Sequence, residues 1–273
     1  MNKINLQKLI IGDLSWKRMI KSLIFIYLFF AIYVYFRADS MIFLPQPSSY
    51  QDNQNIFKLK TTDNQKISAI YLPNPKAKYT ILYAHGNAED LGDIQPVLAK
   101  LHSWGFSVFS YDYRGYGTSG GSPTEKHAYQ DIETVYNYLT NNLKIAPEQI
   151  IVFGRSVGGG SAVDLAVKKP VGGLIVESAF TSAFRVVLPV PILPFDKFNN
   201  LDKISKVKSP VLVVHGTKDE VIPFAHGQKL YAAAASPKLY FWVENATHND
   251  VMLVAGEKYA KKLQEFTALL SVP

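Results

Sequence analysis

The sequence contains no cysteine, and it has no internal repeat or low-complexity tract. The absence of thiols excludes disulfide bonds and metal sites with thiolate ligands. At 273 residues, the chain is long enough to bury a large hydrophobic core, and its length fits one α/β domain with an extension.

Net positive charge is low outside the N-terminus. The formal net charge is +7, but residues 1–37 hold six basic residues against Asp13, so the rest of the chain carries only +2. A nucleic-acid partner would require a basic face on the folded part of the protein. The distribution therefore argues against nucleic acid and predicts a role in membrane topology. The six basic residues are Lys3, Lys8, Lys17, Arg18, Lys21 and Arg37.

An uncharged run from Ser22 to Phe36 lies within this basic region. As a helix it would be about 22 Å long, which is shorter than the hydrocarbon core of about 30 Å. Lys21 and Arg37 can extend their charged ends toward the headgroups, so a single span is compatible with this length. A cleaved signal peptide and a helix lying in the membrane interface are the alternatives. We expect residues 1–44 to form a membrane anchor with its flanks, with the N-terminus inside and the rest of the chain on the far side.

Residues 45–273 are expected to form one globular domain, joined to the anchor by a short tether over Pro45–Tyr50. Two alternating segments predict an antiparallel strand pair, and beyond them apolar strands alternate with amphipathic helices. This pattern predicts an α/β fold in which helices cover both faces of a mostly parallel central sheet. The predicted strands are Ile56–Lys60, Lys66–Leu72, Tyr79–Ala84, Phe106–Tyr111, Gln149–Phe153, Gly173–Val176, Val211–Val214 and Leu239–Val243, and the predicted helices include Ile94–Trp104, Ala128–Leu143 and Val251–Leu270.

Ser156 lies in the sequence Gly154-Arg155-Ser156-Val157-Gly158, between a buried strand and a helical pattern. A serine on such a turn points its hydroxyl out of the carboxyl edge of the sheet, where a histidine can take its proton. The flanking glycines are expected because a side chain would collide with neighbouring backbone at so tight a bend. The alternative is an ordinary glycine-rich turn between a strand and a helix.

The other predicted strand ends carry residues that would complete a catalytic serine site. Because chemistry in parallel sheets lies at the carboxyl ends of the strands, His248 is the expected general base. Asp219 and Glu220 follow one strand and Glu177 follows its neighbour, so each is a candidate for the acid that orients the histidine. The order serine, acid, histidine along the chain matches the order this type of fold requires. The other histidines are His85, which we expect to brace its loop, and His102, His127, His215 and His226, which have no comparable setting.

The loop His85-Gly86-Asn87-Ala88 follows the strand next to the serine. Backbone N–H groups of this loop and of Val157, the residue after the serine, are the natural donors to an oxyanion. We expect Asp112, on the next loop, to hold that loop by hydrogen bonds.

These motifs resemble the α/β-hydrolase family, and nearly all of residues 55–270 takes part in the resemblance. It is closer to a membrane-associated branch of serine hydrolases that includes protein depalmitoylases. Those depalmitoylases carry an N-terminal cysteine cluster for lipid attachment, whereas this chain has an apolar run in that place, so a generic membrane-bound esterase fits better. The stretches that carry the resemblance are His85-Gly86-Asn87-Ala88, Asp112-Tyr113-Arg114-Gly115-Tyr116-Gly117, Gly154-Arg155-Ser156-Val157-Gly158-Gly159, Glu177-Ser178-Ala179-Phe180, His215-Gly216-Thr217-Lys218-Asp219-Glu220 and His248-Asn249-Asp250.

The resemblance implies a catalytic triad of Ser156, His248 and Asp219, and it favours Asp219 over Glu220. It implies hydrolysis of an ester or thioester through an acyl-enzyme, with the amides of Asn87 and Val157 as the oxyanion hole and with no cofactor or metal. The expected partners are a small-molecule or lipidated acyl substrate and a lipid bilayer. A peptidase with the same triad and a hydrolase-like scaffold without turnover are the alternative functions.

Two further expectations concern the substrate and the anchor. The short segment Ser178–Ser209 contains the apolar stretch Val186–Phe195, which suits acyl chains if it borders the site and otherwise packs against the sheet edge. Residues 1–40 are expected to set where the enzyme works and to contribute nothing to bond breaking.

Overall fold

The computed structural model describes residues 15–235 and 237–270, and its centre is an eight-stranded sheet with the strand order β1-β2-β4-β3-β5-β6-β7-β8. β2 runs antiparallel to both of its neighbours, and β3 to β8 are all parallel. The strands are β1 Ile56–Lys60, β2 Lys66–Leu72, β3 Thr80–Ala84, β4 Ser107–Tyr111, β5 Ile150–Arg155, β6 Gly173–Glu177, β7 Val211–Gly216 and β8 Lys238–Val243.

Helices cover both faces of this sheet, and a separate hydrophobic core fills each face. Side chains of the central strands β3, β5, β6 and β7 are buried along nearly their whole length, as apolar parallel strands require. The predicted α/β fold, with helices on both faces of a mostly parallel sheet, is therefore confirmed. The helices of the described residues are α1 Trp16–Ile42, α2 Gln95–Ser103, α3 Glu125–Asn141, α4 Gly158–Lys168, α5 Asn200–Ile204, α6 Ala225–Ala233, α7 Val251–Ala255 and α8 Glu257–Thr267, with one-turn 3₁₀ helices at Pro147–Gln149 and Phe184–Val186.

The end of the chain differs from the single closing helix that the sequence predicts. Gly256 takes φ +51° and separates α7 from α8. An L-residue rarely adopts this conformation, whereas glycine adopts it freely, and the chain changes direction there. The helical periodicity continues on both sides of the break, which explains why the sequence pattern alone favours one helix.

The N-terminal helix α1 is longer than the uncharged run and is a candidate membrane span. Its 27 residues have a mean hydropathy of 2.0 over the most apolar window, and most of its large apolar side chains are exposed. Three small or β-branched residues on one face, Ala31, Val34 and Ala38, are buried instead. They pack with Phe184 and Leu193, so the C-terminal half of the helix is docked on the globular part. The basic start at Lys3 and Lys8 lies outside the described residues.

The segment after α1 is bound to the domain. Phe43 is buried, and its ring lies 5.9 Å from that of Phe198. Further on, the Ser49 amide donates to the Asp90 carboxylate at 2.8 Å and the Tyr50 hydroxyl donates to that of Asp112 at 2.5 Å. The end of the expected tether is therefore hydrogen-bonded to the domain, while the domain boundary between residues 44 and 45 stays a prediction.

Candidate active site

Ser156 lies on a strained turn between β5 and α4. Its φ is +53°, an unusual value for a residue with a side chain. A Cβ added to Gly158 would collide with the carbonyl oxygen of Ala84, and one added to Gly154 would collide with the carbonyl oxygen of Gly158. Both glycines are therefore required by close backbone approach, as the sequence predicts. The turn leaves the Ser156 side chain at the carboxyl edge of the sheet.

Three side chains from different strand ends meet at this edge. The Ser156 hydroxyl oxygen lies 3.1 Å from Nε2 of His248, and Nδ1 of His248 lies 2.9 Å from one carboxylate oxygen of Asp219 and 3.0 Å from the other. When the Nδ1–H donates to Asp219, Nε2 carries a free lone pair and can accept the serine proton. The structure thus brings together the three residues that the sequence singles out.

Asp219 is held as a carboxylate by several donors. The amides of Val221 and Ile222 donate to it at 3.0 and 2.7 Å. Burial alone would raise the pKa of Asp219, but hydrogen bonds from His215, His248 and the Ile222 amide outweigh it and keep that pKa well below its usual range. A carboxylate that stays ionised can orient the imidazole and stabilise its protonated form.

His215 also contacts Asp219, a role that could not be assigned to it from the sequence. Its Nε2 lies 2.9 Å from the carbonyl oxygen of Ile222 and 3.3 Å from the Asp219 carboxylate, and the side chain is fully buried. The histidine therefore braces the Asp219 loop. The sequence signal for this contact is that His215 lies at the end of β7, four residues before Asp219.

Glu177, the rival acid, does not contact His248 in this way. Its carboxylate accepts a 2.5 Å hydrogen bond from Tyr259 and lies 3.8 Å from Nε of Arg155. Burial raises the pKa of Glu177 in spite of these two partners. The structure therefore brings Asp219, and not Glu177, to the imidazole.

Arg155, the residue before the serine, connects the two loops on either side of it. One guanidinium nitrogen donates to Glu89 at 2.7 Å, and Glu89 also accepts from the Gly86 amide at 2.5 Å. The other donates to the side chain of Asn249 at 2.6 Å and to the carbonyl oxygen of His248 at 3.3 Å. A single side chain thus fixes both the His85–Ala88 loop and the histidine loop relative to β5.

The side chain of Asn87 attaches its loop to the end of α1. Its Nδ2 donates to the carbonyl oxygen of Ile42 at 2.7 Å, and its Oδ1 accepts from the Leu44 amide at 3.0 Å and from the Tyr116 hydroxyl at 2.5 Å. We call this set of contacts the Asn87 clamp. Across residues 15–235 and 237–270, neither the Asn87 amide nor the Val157 amide donates a hydrogen bond within the protein. Both N–H groups therefore remain available at the serine.

His85 and Asp112 lie behind the site as the sequence predicts. Nδ1 of His85 lies 2.8 Å from the carbonyl oxygen of Gly86, and its ring lies 4.5 Å from that of Tyr113 at a tilt of 54°. Asp112 accepts from the Leu91 amide at 2.9 Å in addition to Tyr50. These contacts brace the loop and leave both residues out of reach of a substrate.

An apolar cavity of about 610 Å³ opens beside Ser156. Besides the serine, His248, Asn87, Val157, Arg155 and Asn249, its walls are apolar or aromatic and come from α1, from the Phe180–Leu193 region and from the loop after Asp219. No Asp or Glu is among these described wall residues. The remaining wall residues are Phe30, Tyr33, Val34, Met41, Ile42, Phe180, Ala183, Phe184, Val186, Val187, Leu188, Leu193, Val221 and Ile222.

The N-terminal helix also borders this cavity, and the expectation that residues 1–40 contribute nothing to bond breaking stays a prediction. Phe30, Tyr33 and Val34 of α1 line it, and the clamp joins the end of the helix to the Asn87 loop. The sequence showed an apolar run with membrane character, but it did not show which face of that run contacts the domain.

Comparison with known proteins identifies the family. The chain is 42% identical over 225 residues to human alpha/beta hydrolase domain-containing protein 17B, and the match covers 81% of this chain and 77% of that protein. The chain belongs to the α/β-hydrolase family. Mouse alpha/beta hydrolase domain-containing protein 17C is 40% identical over 219 residues, which are 79% of this chain and 68% of that protein. These relatives confirm the resemblance drawn from the strand-end motifs.

The family model described as serine aminopeptidase, S33, matches residues 75–195 of this hydrolase. Among solved structures, an esterase from Pyrococcus furiosus is similar in fold, with a TM-score of 0.68 and 20% sequence identity, and the match covers 83% of this chain and 99% of that one. The esterase domain of a Rhodothermus marinus protein has a TM-score of 0.61 at 17% identity, with 78% and 98% covered. At these identities the structural matches support the fold.

Proposed function

We propose that this α/β hydrolase is a membrane-anchored serine esterase or thioesterase that works through Ser156, His248 and Asp219. The observation that carries the proposal is the 3.1 Å contact between the Ser156 hydroxyl and Nε2 of His248, whose other nitrogen is bonded to Asp219. Residues 1–44 would be the anchor and residues 45–273 the catalytic domain, with the N-terminus inside. The substrate would be a small-molecule or lipidated acyl ester or thioester in or near a bilayer.

The proposed reaction has two acyl-transfer steps. His248 takes the proton of Ser156 while the serine oxygen attacks the acyl carbonyl, and the resulting oxyanion is stabilised by the amides of Asn87 and Val157. Collapse of this intermediate breaks the bond to the alcohol or thiol, which leaves with the proton from His248. In the second step a water molecule attacks the acyl-enzyme as the nucleophile, and Ser156 is the leaving group, so the acid is released. Each amide donor would lower the barrier by about 3–4 kcal/mol.

A peptidase is the second candidate, because the matching family model is described as a serine aminopeptidase. An aminopeptidase must bind the ammonium group of its substrate, which calls for a carboxylate close to the nucleophile. The wall residues described above include none, and Arg155 carries a positive charge there. The apolar cavity instead supports an acyl chain as the occupant.

Matched substrates with one leaving group test this choice. We expect the purified full-length protein to hydrolyse p-nitrophenyl octanoate with a higher kcat/KM than p-nitrophenyl acetate, because the longer chain fills the apolar cavity. A thioester of octanoic acid should also be cleaved, whereas leucine p-nitroanilide should not. Faster cleavage of the anilide than of both esters would contradict the proposal and favour the peptidase. Loss of all ester hydrolysis in a folded protein would favour a scaffold without turnover.

The Asn87 clamp gives a second prediction for the same reaction. Asn87→Ala removes the side chain that holds the loop but keeps the backbone N–H, so the donor should be less well positioned. We expect kcat for a short water-soluble ester to fall by roughly tenfold or more with little change in KM, because an oxyanion donor acts mainly in the transition state. Tyr116→Phe, which removes one clamp bond, should have a smaller effect in the same direction. Asn142→Ala, at an exposed helix end, is the matched control and should leave kcat unchanged. A variant at Asn87 with lowered thermal stability and normal kcat would contradict a role in positioning the donor.

A further inference from the structure

The segment between β6 and α5 contains ten consecutive apolar residues, Val186–Phe195, which we call the finger. Arg185 and Asp196 flank it and approach each other to 3.5 Å, so charged groups close its base. Val187, Val190 and Ile192 are 75%, 61% and 46% exposed. Exposed apolar patches of this kind mark surfaces that contact a partner or a membrane.

Part of the finger backbone is satisfied without water. Pro189, Pro191 and Pro194 have no N–H group to satisfy. The carbonyl oxygens of Leu188, Val190 and Ile192 accept from Nη1 of Arg185 at 2.8 Å, from the Ile192 amide at 3.0 Å and from the Tyr27 hydroxyl at 2.9 Å, respectively. Irregular backbone in a lipid environment requires such internal partners, because no water is there to replace them.

Contacts with α1 set the depth of the finger. The ring of Phe195 packs on that of Tyr35 at 5.4 Å, and Ile192 is bonded to Tyr27. The finger therefore runs beside the uncharged part of the helix from near Tyr35 to Tyr27, a rise of about 12 Å. Among the described residues of α1, the one ion pair to this part of the domain is at the Tyr35 end, where Nζ of Lys197 lies 3.1 Å from an Asp39 carboxylate oxygen. A bilayer that surrounds residues 22–36 would surround the finger as well.

The cavity at Ser156 lies between these two apolar elements. Phe30 and Val34 of α1 form one wall, and Val187, Leu188 and Leu193 of the finger form another. We propose that the finger is a second membrane-inserted surface, and that the cavity takes acyl chains directly from the bilayer that holds α1. This inference rests on the proposed membrane anchor and extends it to the face of the protein that carries the site.

Because the chain has no cysteine, a single introduced cysteine can report the depth of one position. The full-length Val190→Cys variant is labelled with an environment-sensitive fluorophore and reconstituted in phosphatidylcholine vesicles. Lipids with a nitroxide on the acyl chain should quench most of its fluorescence. Leu28→Cys, on an exposed face of α1, should be quenched in the same way. Lys208→Cys, which is exposed just before β7 at the opposite edge of the sheet, should be quenched by aqueous iodide and not by these lipids.

The three positions separate the possible failures. If Leu28 is quenched by the nitroxide lipids but Val190 behaves like Lys208, the finger lies outside the bilayer and the inference is overturned. If Leu28 also behaves like Lys208, the membrane anchor of the proposed function is wrong and the inference is overturned with it. The quenching measurement of depth does not require catalysis. A protein that inserts as expected but hydrolyses no ester would therefore contradict the proposed esterase activity and leave this inference standing.

A double substitution tests the consequence for the substrate. Val190→Asp combined with Ile192→Asp should lower hydrolysis of an acyl ester embedded in the vesicles by at least tenfold, because two carboxylates oppose insertion. Hydrolysis of a short water-soluble ester should be unchanged, since neither side chain lines the cavity. Val190→Ala combined with Ile192→Ala is the uncharged control and should retain most of both activities. Equal activity of the Asp variant and the wild type on embedded ester would contradict access from the bilayer.

Discussion

Replacing Ser156 with alanine is expected to abolish labelling by a fluorophosphonate probe and to reduce ester hydrolysis to background. The probe reacts with an activated serine, and Ser156 is the residue whose hydroxyl lies 3.1 Å from Nε2 of His248. Loss of the nucleophile costs about 10⁶ in kcat in another serine hydrolase. The substitution removes only one oxygen from a buried position, so the variant should remain folded.

The measurement is gel fluorescence after labelling, combined with thermal unfolding in detergent micelles. Ser205→Ala, at an exposed position after α5, is the matched control and should label like the wild type. Labelling that persists in a folded Ser156→Ala variant would show that the nucleophile is another residue.

Asp219→Asn is expected to lower kcat by about 10⁴, because an amide that faces Nδ1 of His248 favours the wrong tautomer. The structure makes this effect large: both carboxylate oxygens lie within 3.0 Å of that nitrogen. Glu177→Gln should cost far less, since its carboxylate bonds to Tyr259 and an amide oxygen can still accept that hydrogen bond.

Steady-state kinetics on one soluble ester give the ranking of the two variants, and circular dichroism verifies that both are folded. The reverse ranking would assign the acid to the end of β6. Equal and small losses would mean that neither carboxylate orients His248.

The sequence predicted the residues of this site because they are local to strand ends. A buried apolar strand followed by glycine or a polar residue is visible in one dimension, and parallel strands bring their carboxyl ends to one edge. Ser156 and His248 could therefore be grouped without a structure, whereas the preference for Asp219 over Glu220 came from the family resemblance.

Contacts between distant segments could not be predicted in this way. The clamp joins Asn87 to Ile42, and nothing in the composition of either stretch indicates the other. The buried face of α1 is similarly hidden, because Ala31 and Val34 are as apolar as the exposed residues around them. Periodicity identifies a buried face only when the opposite face is polar, and a membrane helix lacks that contrast.

The packed junction between α1 and the domain has a consequence for which bonds can be cut. Since Phe43 and Ser49 are fixed to the domain, there is no slack between the helix and Ser156. With α1 in a bilayer, the nucleophile would stay at one fixed height relative to the lipid surface. An ester or thioester held at that height would be cut, whereas one carried farther from the surface would be spared even when its acyl chain is identical.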